Sequence, residues 1–228
     1  MNIVRPAAGL LLERVRKALA HDLRTPLGTI GNYATILEYQ GEAQAEDVRA
    51  FAARIHASVV QTSAMLTHLS EALRLWTAEV RAHGAEPATI LRSLLGELGV
   101  QGNYQARSLE SQSFPDLDPE LLCYCWRAFL AVNACNASVD GLALDISCGE
   151  EDGVAIVDLW LSAQRHEQNF VRIDPDAYLL RLCDSAAQDT CLALTLASSL
   201  VTARGGELEI FVGDGRASQL RLRMPCSS

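Results

Sequence analysis

In the stretch Ala20-His21-Asp22-Leu23-Arg24-Thr25-Pro26-Leu27, a histidine stands beside a carboxylate, with a threonine four residues beyond it and a proline after that. An imidazole nitrogen can attack a phosphoryl group, and an adjacent carboxylate can orient the ring, fix its tautomer and act as a base. Thr25 shares a helical face with His21 and could hold an attacking water. A lone helical histidine is ordinarily either solvated or hydrogen-bonded in a core. Phase excludes the core here. Leu12, Val15, Leu19, Leu23, Ile30, Tyr33 and Leu37 form one apolar stripe, and at about 100° per residue His21 falls on the far side of it. A plain surface role leaves Pro26 unexplained, because a proline inside a continuing helical pattern costs about 3 kcal/mol and bends the helix. Arg14, Lys17 and Arg24 fall on the same side as His21 and could attract an acidic partner surface, although a solvated basic face has the same pattern.

The elements that must position these residues begin with a long amphipathic helix over roughly 8–39. A polar stretch at 38–44 contains Gly41 as a stop, and a second helical pattern runs over about 45–80. Ile55, Val59, Thr62, Leu66, Leu69, Leu73 and Trp76 mark its expected buried side. Two such helices make an antiparallel hairpin about 50 Å long. The hairpin alone cannot bury both apolar faces, so a homodimeric four-helix bundle is the economical solution.

The segment 82–87 mixes small residues with Gly and Pro, and the pattern changes after it, which divides the chain into domains 1–82 and 83–228. Beyond the boundary the spacing predicts a short helix at 88–98, a strand at 108–114, a helix at 119–137, a strand hairpin at 142–148 and 154–161, a helix at 190–203 stopped by Gly205-Gly206, and strands near 207–212 and 219–224. The fold class is α+β.

Composition sets limits on function. About half of the 228 residues are apolar, enough for a substantial core, and a formal charge of -9 argues against a broad nucleic-acid surface. No uninterrupted apolar run is long enough to span a membrane and no signal peptide is evident, so the cytoplasm is the default. The seven cysteines show no zinc-ligand spacing and read as reduced and mostly buried. His56, His68, His83 and His166 show no ligand spacing either, so no metal site is expected. Trp76, Trp126 and Trp160 read as core or interface aromatics.

The His21 stretch resembles the phosphoacceptor box of two-component sensor histidine kinases, in which a His followed by an acidic residue precedes Leu-Arg-Thr-Pro-Leu. By that resemblance the hairpin is a dimerisation and phosphotransfer unit. His21 would be the phosphoacceptor that exchanges with an aspartate of a response-regulator receiver domain, Asp22 would assist, and Thr25 would be the position tied to phosphatase activity. Arg14, Lys17, Arg24 and Gly28 become candidate receiver contacts. The resemblance continues at 118–122 and 129–134, which look like the kinase helix whose Asn side chains hold Mg²⁺ and ATP phosphates. It implies a Bergerat-type α/β sandwich, but a degenerate one. Asn133 remains as a vestige, Phe129 stands where an earlier Asn is usual, Ser162 to Glu167 lacks the Asp-x-Gly-x-Gly turn, and Ala186 to Thr190 replaces the Gly-rich lid. Side chains at those turns would obstruct a nucleotide and forbid positive φ.

The pattern resembles dimeric histidine phosphotransferases: His-Asp phosphoryl transfer without ATP, no cofactor bound by this chain, and Mg²⁺ supplied at the receiver. Two alternatives are a divergent ATP-dependent histidine kinase or phosphatase and a non-catalytic binding module for a kinase or regulator.

Overall fold

The computed structural model describes residues 14–39, 45–78, 87–97, 117–134, 143–162, 171–173, 188–213 and 216–226. The first helix runs through 14–39 in three parts: a helical turn at 14–17, a π-helical segment Ala18–Asp22, and the α-helical segment Arg24–Tyr39, here α1. α2 spans Ala45–Thr77 and packs along α1. Pro87 opens α3, Pro87–Glu97, a first-turn position where its missing N–H costs nothing. α4 follows at Pro119–Ala134, then the strands β1 (Ala143–Glu151), β2 (Val154–Ser162) and β3 (Val171–Ile173), the helix α5 (Gln188–Ala203), and the strands β4 (Glu207–Gly213) and β5 (Arg216–Pro225).

The strands form one antiparallel sheet in the order β1-β2-β5-β4-β3. Asp152 (φ 52°) and Gly153 (φ 74°) turn the chain between β1 and β2, the left-handed pair that a two-residue hairpin favours. Alternation with period two then sorts the faces. Val157, Leu222 and Leu208 make one buried cross-strand row, and Leu159, Leu220 and Ile210 make the next. On the opposite face Asp158 accepts two parallel bonds from Arg221, at 2.8 and 3.0 Å, and Glu209 pairs with Arg172.

Helix α5 is the centre of the molecule. Its apolar face is wide, with Thr195 and Ser198 half-buried and Thr202 exposed on the remainder. Ala193, Leu194, Leu196, Ala197, Leu200 and Val201 are wholly buried. It touches α4 and β4, and it also packs against α2. One core therefore runs from the sheet into the lower half of the hairpin, where Met65, Leu69, Ala72 and Leu75 join it.

Charged junctions tie the same elements together. Asp118 caps α4 by accepting from the N–H groups of Glu120 (2.9 Å) and Leu121 (3.3 Å). Its other oxygen accepts from Arg204, just past the end of α5, and Arg204 also donates to the carbonyl of Leu75 at 2.6 Å. Arg127 of α4 bridges Glu71 of α2 and Glu97 of α3, each at 3.0 Å.

α5 ends in a Schellman arrangement, with Gly206 N–H on the Val201 carbonyl and Gly205 N–H on that of Thr202. Gly205 has φ +81°. Gly206 is required by close approach, because a Cβ there would lie 2.4 Å from Met224 Sδ and 2.5 Å from the Arg223 carbonyl. Gly206→Ala is expected to destabilise the fold by about 1–3 kcal/mol. Urea denaturation checks this, and an unchanged midpoint would refute it.

Several expectations shift. The α+β class, the helices near 88–98, 119–137 and 190–203 and the four predicted strands within the described residues are found with small changes of boundary. The strand expected at 108–114 and the stop at Gly41 lie outside the described residues. β3 was not anticipated. Leu19, Val59 and Leu66, expected on buried stripes, are 53, 44 and 49 % exposed. The π-helical segment changes the helical phase around Leu19. On α2 the inward stripe is Ser58, Met65, Leu69, Ala72 and Leu75; Leu69 is buried as expected, and the others lie one position before members of the expected row, of which Leu73 and Trp76 pack partly buried against the core. Of the described cysteines, Cys125 and Cys191 are buried and Cys123, Cys148 and Cys226 partly so, while Cys135 and Cys183 lie outside the described residues. Burial pushes the Cys125 thiol up to about 12, which keeps it protonated and unreactive at neutral pH.

Candidate phosphoacceptor site

His21 lies inside the π-helical segment. Leu23 N–H reaches back five residues to the Ala18 carbonyl at 3.0 Å, and ordinary α geometry resumes when Leu27 N–H bonds the Leu23 carbonyl at 3.2 Å. Pro26 explains the irregularity, since it has no N–H to offer the Asp22 carbonyl four residues back. A π turn widens the helix locally and is a frequent companion of functional side chains. The bend expected from the proline is thus realised as a π turn directly upstream of it. Pro26→Ala restores that N–H and is expected to raise stability by about 1–3 kcal/mol while relaxing the π turn. A thermal melt checks it, and a lower melting temperature would contradict this account.

The His21 side chain is 79 % exposed, in agreement with its predicted phase, and its Nδ1 lies 3.1 Å from Asp22 Oδ1. An Nδ1–H donating to that carboxylate holds the proton on Nδ1. Nε2 then carries the free lone pair and points outward, as a nucleophile must. Asp22 is half-buried, which limits its motion. Thr25 is exposed one turn on, and its carbonyl accepts from Thr29 Oγ1 at 3.1 Å.

Of the candidate contacts, Lys17, Arg24 and Gly28 are exposed and Arg14 is half-buried. A Cβ on Gly28 would meet nothing within 4 Å, so packing within the chain does not demand glycine there. Among the described residues no group of three or more His, Cys, Asp or Glu is close enough to hold a metal ion. No described helix is long and apolar enough to cross a membrane.

No family model matches this chain, and no curated protein matches it by sequence. Solved structures do resemble it. The histidine kinase AdeS of Acinetobacter baumannii superposes with a TM-score of 0.53 at 14 % identity, over 91 % of this chain and 98 % of that one. The histidine kinase ThkA, solved in complex with the response regulator protein TrrA, superposes with a TM-score of 0.57 at 14 % identity, over 95 % of this chain and 64 % of that one. The chain has a histidine kinase-like fold.

In that histidine kinase-like frame, Asn133 falls in the last turn of α4. Phe129, one turn earlier, is wholly buried in the core. The turn after β2 and most of the segment before α5 lie outside the described residues.

The structure also shows a feature that the sequence reading missed. Thr29, Asn32, Tyr33 and Ile36 of α1 face Arg54, Ala57 and Ser58 of α2 across a cleft of about 600 Å³. Arg54 donates to the Tyr33 hydroxyl and lies over its ring, 5.5 Å from the centroid, while Tyr33 stacks on Phe51 at 5.3 Å. Tyr33 was placed in the apolar stripe. Its hydroxyl, which needs a polar partner when half-buried, was the available signal.

Proposed function

We propose that this chain is a two-component phosphorelay protein in which His21 exchanges a phosphoryl group with a receiver aspartate without using ATP. The observation that carries it is the outward imidazole with Nδ1 held by Asp22, on a histidine kinase-like fold. In the forward step Nε2 attacks phosphorus, the N–P bond forms as the acyl phosphate P–O bond breaks, and the receiver carboxylate leaves. The proton stays on Nδ1, where Asp22 offsets the positive charge of the phosphorylated ring. The Mg²⁺ that neutralises the transferring group would be held by the receiver's own carboxylates. Thr25, exposed four residues on, would be the position to hold a hydrolytic water.

The receiver would dock along the first helix, using Arg14, Lys17, Arg24 and the open surface at Gly28. The cleft between Tyr33 and Arg54 extends that surface away from His21. The division of labour follows the two halves: 1–82 for dimerisation and phosphotransfer, 83–228 as a degenerate Bergerat-type domain. The described residues do not fit ATP well, since Phe129 is committed to the core where a ligand-facing amide would serve.

A homodimer would cover the exposed Val59, Val60 and Leu66 of α2 and complete a four-helix bundle. Sedimentation is expected to give twice the chain mass, and a monomer at micromolar concentration would remove this element. The function itself is tested by incubating the protein with γ-labelled ATP and Mg²⁺ beside a sample given a phosphorylated receiver. Label from the receiver only supports the relay. His21-dependent label from ATP identifies an ATP-dependent kinase instead, and label from neither, over several receivers, leaves a binding module.

A further inference from the structure

We propose that Arg204 is the pin of a latch that holds the second half of the chain in one pose on the hairpin, so that a receiver arriving at His21 meets a single rigid surface. The receiver part rests on the function proposed above.

Arg204 joins three helix ends. It follows the last turn of α5, its guanidinium pairs with the carboxylate that caps the start of α4, and it donates to a carbonyl in the last turn of α2. Carbonyls in a final helical turn lack intrahelical partners, and a cation there also meets the negative end of the helix dipole. The pair is well enclosed, with 9 % exposure for the Arg204 side chain and 10 % for Asp118. Asp118 is therefore fully engaged, by two backbone N–H groups on one oxygen and by Arg204 on the other.

Neighbouring units of one chain move relative to each other by default when the surface between them is small and polar. This one is neither. Leu69, Ala72 and Leu75 of α2 belong to the same buried core as Leu121 of α4 and Leu196 and Leu200 of α5. Arg127 with Glu71, and Arg74 with Glu120, flank the apolar contact on its wet side.

Arg204 itself meets α2 at Leu75, but the second half that it holds also reaches the level of His21. Tyr33 meets Arg54, and Thr29 shares a cleft with Ser58, so residues of the two hairpin helices pair antiparallel. Continuing that pairing brings His21 level with about Leu66. Tyr124 of α4 donates its hydroxyl to the carbonyl of His68, which is about 3 Å further along α2. The second half thus abuts α2 at the level of the phosphoacceptor, while the imidazole itself stays open to solvent.

The test uses the full chain and two readouts, amide hydrogen exchange and phosphoryl transfer from a phosphorylated receiver. Arg204→Met is expected to speed exchange over the last turns of α2 and the first turn of α4 at least tenfold, with β2 and β5 unchanged. It should raise the KM for the phosphorylated receiver about fivefold or more and leave kcat near wild type. Arg204→Lys should fall between, because a single ammonium cannot reproduce the planar fork that serves two acceptors. Asp118→Asn keeps the helix cap and removes the charge, so it supplies the same test if Arg204→Met does not fold. Exchange at the end of α2 unchanged in both variants overturns the latch. Faster exchange with an unaltered KM overturns its role in receiver docking. A wild-type protein that takes no label from any receiver overturns the proposed function and the docking half of this inference, and the exchange result then still decides whether Arg204 is the pin.

Discussion

His21→Ala is expected to lower phosphoryl transfer from a phosphorylated receiver by about 10³-fold or more, to the level of the unassisted reaction. The side chain is open to solvent and supports no core, so stability should stay within about 0.5 kcal/mol of wild type. That combination separates a phosphoacceptor from a structural histidine. Asp22→Asn still offers an oxygen to Nδ1 but loses the charge that offsets the phosphorylated ring, and is expected to cost about 10²-fold. The measurement is label on the protein after exposure to the phosphorylated receiver, read beside a urea melt. Full labelling of His21→Ala would place the acceptor elsewhere.

Phe129→Asn is expected to unfold the chain and not to restore a nucleotide site. The ring is wholly buried among the side chains of α4, α5 and the sheet. Removing it costs about 3–5 kcal/mol, and an amide left without partners in that space adds about 1–3 kcal/mol. The sum rivals the roughly 5–15 kcal/mol by which a domain is stable at all. Chemical denaturation and binding of labelled ATP provide the check. A folded variant that binds ATP would show that one side chain separates this chain from a nucleotide-binding one. The expected outcome reflects how fully α4 is committed to the core, where Leu122, Tyr124 and Trp126 are buried with Phe129.

α5 is covered by the sheet on one side and by α2 on the other, so the second half carries part of the core that stabilises the lower hairpin. Removing that half would expose Met65, Leu69, Ala72 and Leu75 to water, at about 25 cal/mol per Å² of apolar surface. The hairpin that presents His21 needs that cover.

What could be read from the sequence rests on covalent geometry and local spacing. The 3.6-residue period put His21 opposite the apolar stripe, and the side chain is exposed. Asp22 adjoins His21 in the chain, but helix neighbours do not face each other, so the 3.1 Å contact between carboxylate and ring is a product of the structure. Asp152-Gly153 and Gly205-Gly206 act within a few residues of themselves, through positive φ and a helix stop. The wide apolar face of α5 already implied a helix largely enclosed by its neighbours.

Tertiary structure decided what depends on which segments return to one another. α2 has two apolar stripes, and only the arrival of α5 turned Met65 and Ala72 inward and left Val59 and Leu66 outside. Three-residue β3 has no periodicity to read and exists only because β4 offers it an edge. Pro26 announced a disturbance, but whether a helix answers with a kink or a π turn depends on the packing around it. Arg204 and Asp118 are far apart in the chain, as are Arg54 and Tyr33, and no local rule pairs them. Each pair forms because packed helices bring the groups together, and for the enclosed Arg204 and Asp118 a charge without its partner would cost too much.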